Sequence, residues 1–330
     1  MVFEYAKERL KDDHPGYRHL ILIHKDMMLT TIKEIARKVI PGVLWRKLRS
    51  SYHKLLFYFA YFELKFIIKR VSNGLKRKTI LFYPDIPLAF HEIYKICRLL
   101  GYRKTNKLSG SYCLAFNWHD TTFMAPDEKL IQLSKRIKVV NIGCVDISKK
   151  RVEGILKEVF GYSTFIDPFT FLGECVKKSD LNAQNSETIL LCPVKTLDES
   201  FIYQRLINNV VDGDLIQDIA VPILNGRIPF VYLRSRPLAE RFDEGKSKIE
   251  VVGIEKVVTE EEKEKILVFC AKIGLEYGEV EMIRAADDKK LYIIDVNNTP
   301  IGPWGYLLPS QRIAALKRTA EAFEEQYLLG

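Results

Sequence analysis

The sequence has no apolar run long enough to cross a membrane, no internal repeat and no low-complexity tract. Its longest apolar stretch, residues 55–68, has 14 residues with two charges among them, whereas a spanning helix needs about 20 apolar residues. The N-terminus is of mixed charge and lacks the apolar core of a signal peptide. These absences argue against a membrane-spanning protein, and 330 residues favour two or three compact globular units.

The sequence has six cysteines, and they are widely separated along the chain. No two cysteines stand at the short intervals typical of zinc sites or disulfide frameworks, which favours a reducing compartment. We therefore expect a cytoplasmic protein whose thiols are mostly buried. The six cysteines are Cys97, Cys113, Cys144, Cys175, Cys192 and Cys270.

Positive charge is concentrated in residues 1–78, which hold 18 Lys and Arg against 7 Asp and Glu, while the other 252 residues hold 33 against 35. We expect this basic arm to be helical, with a second helix over about 44–71. A basic, aromatic-rich helix can lie on an anionic membrane surface. The alternative is a helix packed on the body with a solvated basic face, so a position at the inner face of a membrane stays open. Nucleic acid is not expected, because no recognised binding module accompanies the charge.

The chain is organised around residues 278–303, which predict a β-hairpin with a polar turn at Asp287–Lys289. A three-residue turn puts Glu281 opposite Asp295, and Asp295 then shares a face with Asn297. Two carboxylates opposed across a ladder repel each other unless a cation lies between them. Mg²⁺ prefers carboxylates, neutral oxygens and phosphates, so these three residues are the candidate metal ligands. The alternative is that Asn297-Asn-Thr-Pro is only a turn.

An acidic strand followed by Asp-x-Asn-x-x-Pro resembles the metal-binding end of the ATP-grasp superfamily. The resemblance implies an α+β fold, in which two lobes hold ATP and Mg²⁺ behind a small α/β pre-ATP-grasp domain. With the helical arm, the expected parts are residues 1–78 (arm), 79–145 (pre-ATP-grasp domain), 146–208 (small lobe) and 209–330 (large lobe with the metal site).

Residues 79–145 alternate strand, helix and strand, which predicts a parallel sheet. Trp118, His119 and Asp120 follow the second strand, at the edge of such a sheet where ligands gather. His119 is a candidate base or contact for an acidic substrate; the alternative is that Asp120 only caps a helix and His119 has no role.

The resemblance implies a set of nucleotide-binding residues. Lys149, or its neighbour Lys150, at a helix start and Lys177 on a strand would hold phosphates as mobile point charges, and loop 180–186 would close over them. Asp218, or the nearby Asp214, would bind the ribose. A hinge would bind adenine through its backbone; its residues are Gln204, Arg205, Leu206 and Ile207.

Residues 215–224 and 228–234 predict a further hairpin around Asn225-Gly226, and the resemblance implies that cationic residues after it neutralise charge during phosphoryl transfer. The candidates are Arg236, Arg241 and Lys246, with Arg284 as a further oxyanion candidate. Many ligases of the family have an arginine just before the first acidic ligand, whereas this chain has Glu279 and Val280 there.

The implied activity is that of a Mg²⁺- and ATP-dependent ligase, which activates a carboxylate as an acyl phosphate and joins it to an amine. Its expected partners are small-molecule carboxylates and amines. Two alternatives stay open: a kinase of the same fold that phosphorylates a small-molecule hydroxyl, and a non-catalytic, membrane-associated protein that binds Mg-ATP.

Overall fold

The computed structural model describes residues 78–125, 127–182, 184, 186–242 and 248–329. The predictions for the N-terminal arm and for Lys246 lie outside the described residues. Within those ranges no helix is both long and apolar enough to span a bilayer.

The first sheet is parallel throughout, as the strand–helix–strand order predicts. Its strand order is β2-β1-β3-β4, so the carboxyl ends of β1 and β3 lie side by side. Trp118, at the end of β3, is buried among Phe82, Phe116 and Tyr277. The elements are β1 (Thr79–Pro84), α1 (Glu92–Leu100), β2 (Arg103–Thr105), β3 (Leu114–Trp118), α2 (Glu128–Ser134) and β4 (Val139–Val140).

The second unit joins one helix to a three-stranded antiparallel sheet of order β6-β5-β7. Its helix begins after Ser148, the N-cap, whose hydroxyl accepts a hydrogen bond from the Arg151 N–H. Before β5, Phe165 forms an isolated bridge with Gln204. The elements are α3 (Lys149–Phe160), β5 (Gly173–Ser179), β6 (Thr188–Cys192) and β7 (Phe201–Arg205).

The third and largest sheet is antiparallel, with order β11-β10-β9-β12-β13 and β8 paired to the side of β9. Its long helix α4 begins with a capping box formed by Thr259 and Glu262. The elements are β8 (Val210–Asp212), β9 (Leu215–Leu224), β10 (Val231–Pro237), β11 (Lys248–Val252), α4 (Glu260–Ile273), β12 (Tyr277–Arg284), β13 (Leu291–Asn297) and α5 (Pro309–Tyr327).

Strand alternation gives the large sheet one apolar and one polar face. On β12, Val280 and Met282 are fully buried in the core that α3 and α4 share with this sheet, and burying a side chain of this size contributes about 1.5–3 kcal/mol. Glu279 and Glu281 occupy the alternate positions and therefore point to the opposite face. Helices α3 and α4 thus cover the apolar face of the sheet, and Glu279 and Glu281 lie on the other face.

The predicted register of the hairpin is confirmed, because Glu281 pairs with Asp295 and Glu279 with Asn297. The three-residue turn is wrong: Arg284 pairs with Leu291, so the turn is longer. Between Glu281 and Met282 a β-bulge leaves one residue of β13 without a partner on β12. This extra residue compensates for the longer turn, so that Glu281 still pairs with Asp295.

Candidate functional site

Two opposed carboxylates form the centre of the polar face. Burial raises the pKa of Asp295, and the charge of Glu281 raises it further, while Lys149 and Lys178 act in the opposite direction. The two acids are therefore paired across the ladder and repel each other. They make a site that gains stability when positive charge enters it.

Arg234 on β10 already provides part of that charge. Its Nη2 lies 2.9 Å from Oε2 of Glu281. Burial opposes ionisation of Glu281, but the adjacent guanidinium outweighs it and keeps the pKa of this carboxyl below its usual value. Glu281 is therefore an ionised carboxylate held by a buried arginine.

Asn297 lies on the same face, one alternate position beyond Asp295. Its Oδ1 accepts hydrogen bonds from the backbone N–H of Thr299 at 2.8 Å and from the Thr299 hydroxyl at 3.3 Å. That hydroxyl also donates to Oδ1 of Asp120 at 3.1 Å. The turn after β13 thus links the third candidate ligand to the edge of the first sheet.

Two buried lysines reach the hairpin from the second unit. Nζ of Lys149 lies 3.4 Å from both carboxylate oxygens of Asp295, and Nζ of Lys178 lies 3.4 Å from the backbone oxygen of Ile294. Burial lowers the pKa of Lys178, which the carboxylate of Asp295 partly offsets. The structure therefore brings two lysines to the hairpin: Lys149, one of the two candidates at the helix start, and Lys178, which the sequence analysis does not name.

Lys177, the predicted strand lysine, points to the other face of β5. Its Nζ forms an ion pair with Asp198 at 2.8 Å and lies over the ring of Phe201. Neighbouring residues of a strand face opposite sides, so only one of Lys177 and Lys178 can face the hairpin. The buried member of the pair, and the one that contacts the hairpin, is Lys178.

The described part of loop 180–186 lies against the hairpin. The side-chain amide of Asn182 donates to the backbone oxygen of Val296 at 2.9 Å, and its oxygen accepts from Lys149 at 2.5 Å. The backbone oxygen of Asp180 accepts from the Lys149 N–H. The loop and Lys149 therefore both contact the strand that carries Asp295.

The side chains of the predicted hinge residues Gln204 and Arg205 contact different parts of the molecule. Gln204 is buried and donates to Glu153 and Thr164. Arg205 contacts Asp288 at 3.3 Å and also bonds the hydroxyl of Tyr292. These side chains connect β7 to the helix before it and to the hairpin turn.

The backbone of the hinge leads into the large sheet. The N–H of Leu206 donates to the oxygen of Glu174 at 3.1 Å, and Ile207 is buried in the core of the large sheet. Arg241 contacts the oxygen of Ile207 and lies 2.7 Å from Oδ1 of Asn209. Arg241 therefore holds the segment that connects the two lobes.

Asp218 on β9 pairs with Arg236 at 2.6 Å. Burial raises the pKa of Asp218, although Arg236 and Arg234 oppose the shift. The backbone oxygen of Arg241 accepts from Nε of Arg236 at 2.8 Å. The predicted ribose residue and two predicted cations thus form one cluster at the base of the large sheet.

Arg284 is directed away from the acids. Its guanidinium grips both carboxylate oxygens of Glu262 at 2.8 Å and also donates to the backbone oxygens of Val257 and Lys289. The structure therefore places this predicted oxyanion residue at the capped start of α4, and does not bring it to the site.

His119 and Asp85 form a close pair at the carboxyl ends of β3 and β1. Nδ1 of His119 lies 2.6 Å from Oδ2 of Asp85, and both side chains are exposed. The partner of His119 is therefore Asp85, which the sequence reasoning did not name. Asp120, its neighbour, contacts Thr299 instead.

A cleft of about 60 Å³ opens beside Glu281. Its walls include Arg234, Arg236, Ile249 and Trp304, and the guanidinium of Arg234 lies 5.1 Å from the centre of the Trp304 ring. Sequence reasoning missed Arg234, although it stands two residues before Arg236 on a strand and so shares its face. Trp304 carried no signal, because it follows the predicted turn.

The donor set suits a hard divalent cation. Across the described residues no group of three or more His, Cys, Asp or Glu side chains could hold a metal ion; the candidate set is the predicted one of two carboxylates and one amide. Oxygen donors of this number leave the remaining positions to water or phosphate, as Mg²⁺ prefers. Glu281, Asp295 and Asn297 fit that ion.

No protein-family model matches the chain, and no curated protein matches it. Among solved structures, the chain is similar to the ATP-grasp ligase PsnB in complex with a phosphomimetic variant of its minimal precursor, Mg and ADP. That comparison has a TM-score of 0.50 at 12% identity and covers 77% of this chain and 100% of the other.

Two further solved structures are similar at lower scores. D-alanine–D-alanine ligase from Bacillus anthracis with ATP has a TM-score of 0.48 at 17% identity, over 76% of this chain and 96% of that one. Macrocyclase MdnC with precursor peptide MdnA from Microcystis aeruginosa has a TM-score of 0.42 at 12% identity, over 74% and 98%.

Proposed function

This chain has the ATP-grasp fold, and from that premise we propose that it is an ATP-dependent ligase that activates a carboxylate as an acyl phosphate. In the first step the carboxylate takes the γ-phosphoryl group of ATP and ADP leaves; in the second an amine attacks the acyl phosphate, which gives an amide and phosphate. The observation that carries the proposal is the pairing of Glu281 with Asp295 across the hairpin, with buried cations on both sides.

Each group of residues has a role in this reaction. Glu281, Asp295 and Asn297 hold Mg²⁺, which supplies charge neutralisation on the phosphates when bound. Lys149 and Lys178 lie on the side of Asp295 and bind the phosphates of the nucleotide. The hinge, residues 204–207, binds adenine, and Asp218 binds the ribose.

Charge neutralisation is the main demand of this chemistry, because the transferring phosphoryl group spreads negative charge over its oxygens. Fixed cations in a site with little water stabilise that charge more than they would in solution. Lys149 and Arg234 are both buried, which meets this demand.

The test is release of ADP from ATP in the presence of panels of carboxylates and amines, assayed on the full chain. Asp295→Ala and Asn297→Ala should each reduce ADP release to background, because each removes a ligand of the metal. Asp287→Ala is the matched control, since this acid lies in the turn of the same hairpin and is exposed; its activity should equal that of the wild type.

Two outcomes would contradict the proposal. Undiminished ADP release in both ligand variants would end the metal assignment. ADP release that needs no amine and leaves a stable phosphorylated product would show a kinase instead.

A further inference from the structure

The segment that follows β3 lies at the end of the hairpin that carries the acids. Oδ1 of Asp120 accepts a hydrogen bond from the hydroxyl of Thr299 at 3.1 Å, and that hydroxyl lies 3.3 Å from Oδ1 of Asn297. Asp120 is therefore two hydrogen bonds away from a candidate metal ligand. His119 precedes Asp120 in the chain, so the carboxyl end of β3 brings His119 to the edge of the same site.

The same segment also contacts the loop that bonds Lys149. The hydroxyl of Thr122 accepts a hydrogen bond from the Asn182 N–H at 2.9 Å, and the side-chain oxygen of Asn182 accepts from Lys149. The residues proposed above for adenine and ribose, 204–207 and Asp218, belong to β7, the segment after it and β9. The first unit provides none of the proposed nucleotide contacts, and it is therefore left for the second substrate.

His119 and Asp85 have the arrangement of a base and the acid that orients it. Nδ1 of His119 lies 2.6 Å from Oδ2 of Asp85. An ionised carboxylate only accepts hydrogen bonds, so Nδ1 donates and the lone pair of the ring is on Nε2. No described residue bonds Nε2, and 43% of the His119 side chain is exposed. This nitrogen can therefore accept a proton from a molecule that enters from solvent.

The amide-forming step needs such a base. A primary amine is mostly an ammonium ion at neutral pH, because its pKa resembles that of lysine, and an ammonium nitrogen has no lone pair with which to attack. The other charged residues proposed for the site are already assigned, since Glu281 and Asp295 bind metal and the lysines and arginines only donate. Asp85, the partner of His119, and Asp120, its neighbour in the chain, add negative charge that attracts an ammonium ion.

We propose that His119 is the catalytic base of amide formation, that Asp85 is its positioning residue, and that the acceptor is an amine that arrives as an ammonium ion. The inference rests on the proposed function, because it needs the acyl phosphate of the first step.

The step moves two protons. Nε2 of His119 takes one proton from the ammonium ion, and the neutral amine forms the C–N bond with the carbonyl carbon of the acyl phosphate. The C–O bond to the phosphate breaks, and its electron pair leaves with the phosphate. A second proton goes from the nitrogen to that phosphate, and the proton on Nε2 passes to water.

The experiment compares two kinds of acceptor for the same acyl phosphate. It uses the full chain with ATP, Mg²⁺ and a panel of carboxylates: acetate, hexanoate, benzoate and phenylacetate. Hydroxylamine is mostly unprotonated at neutral pH and needs no base, so the ferric-hydroxamate colour reports formation of the acyl phosphate. Methylamine, phenethylamine and glycine arrive with an ammonium group, and mass spectrometry quantifies their amides. The ratio of amide to hydroxamate therefore reports the proton transfer separately from activation of the carboxylate.

His119→Gln should lower this ratio by roughly 100-fold, the lower end of the range for general base catalysis. Asp85→Asn should lower it less, because the imidazole remains but no carboxylate fixes its tautomer. Glu128→Gln is the matched control, since Glu128 is an exposed acid on α2 of the same unit. Its ratio should equal that of the wild type.

The inference is overturned if the ratio in His119→Gln and in Asp85→Asn equals that of the wild type, even where both products fall together, because the pair is then only structural. It is also overturned if the wild type forms hydroxamate but no amide with any of the amines. Asp85→Asn provides the test if His119→Gln does not fold. If the wild type forms no hydroxamate with any carboxylate, the proposed function fails, and this inference with it.

Discussion

The acidic pair has cations on two flanks, and the two flanks are built differently. On the side of β13, Lys149 and Lys178 come from another unit of the chain and stand 3.4 Å from their nearest hairpin oxygens. On the side of β10, Arg234 and Arg236 belong to the same sheet and lie 2.9 and 2.6 Å from their carboxylates. The lysines contact the hairpin only at this longer distance, although Lys149 also donates to Asn182 at 2.5 Å, whereas the arginines belong to the sheet that carries the acids.

This difference distinguishes two functions of a buried cation, which are to bind a ligand and to stabilise the folded state. A lysine that contacts an acid weakly across two units is available to a phosphate, because it gives up little when a ligand arrives. An arginine in a short buried pair stabilises the folded state, since its removal leaves an uncompensated charge. We therefore expect lysine substitutions to affect binding most and arginine substitutions to affect stability most.

The largest expected effect is on nucleotide affinity. Lys178→Met should weaken Mg-AMPPNP binding by roughly 10–100-fold, the range for loss of a charge-assisted hydrogen bond, as measured by calorimetry. Lys177→Met is the matched control on the same strand, and its affinity should stay within about twofold because Lys177 pairs with Asp198 on the other face. A larger loss in Lys177→Met than in Lys178→Met would reverse the assignment of the two lysines.

The second effect is on stability. Arg234→Met should lower the free energy of unfolding by up to about 3 kcal/mol, because it leaves the partly buried Glu281 without its partner. Lys149→Met should cost less, about 1 kcal/mol, since its contact with Asp295 is long and its short hydrogen bond is to the neutral amide of Asn182. Urea unfolding without ligand measures both values.

A double variant sharpens this stability test. Arg234→Met with Glu281→Leu removes both charges and should recover part of the loss. Equal costs for Arg234→Met and Lys149→Met would show that the two flanks do not differ as proposed.

The hairpin was predictable because its signal is local. Alternation of apolar residues and a polar turn fix which side chains share a face, and so the pairing of Glu281 with Asp295 followed from sequence. The turn length did not, because a bulge leaves no mark in apolar alternation when it compensates a longer turn. The position of the acids was therefore right although one step toward it was wrong.

The cations were harder to predict because their partners are distant in sequence. Lys177 and Lys178 are equivalent as residue types, and only the packing of β5 decides which one faces the hairpin. Arg284 stands on the correct strand, yet Glu262 on α4 captures it. Arg234 was missed since its partner is 47 residues away. Contacts between units are set by tertiary packing, which a single sequence does not show.

Glu92 on α1 is a buried acid that lies on neither flank of the acidic pair. It therefore serves as a reference for the cost of burying a single carboxylate in this protein. Burial raises its pKa to about 7, although Lys95 and the hydroxyl of Thr319 act against the shift. The folded state thus prefers the protonated form, and the stability that this contributes is present below the unfolded pKa of 4.5 and lost as the pH rises through about 7.

Glu92→Gln should therefore gain roughly 1–3 kcal/mol in unfolding free energy relative to the wild type between pH 5 and pH 8. Chemical denaturation at the two pH values measures the difference. Glu321→Gln, an exposed acid on α5, is the matched control and should show no such change. If Glu92→Gln follows the wild type at both pH values, burial of a single carboxylate costs little in this protein, and the cost expected for unpairing Glu281 must be reduced in the same proportion.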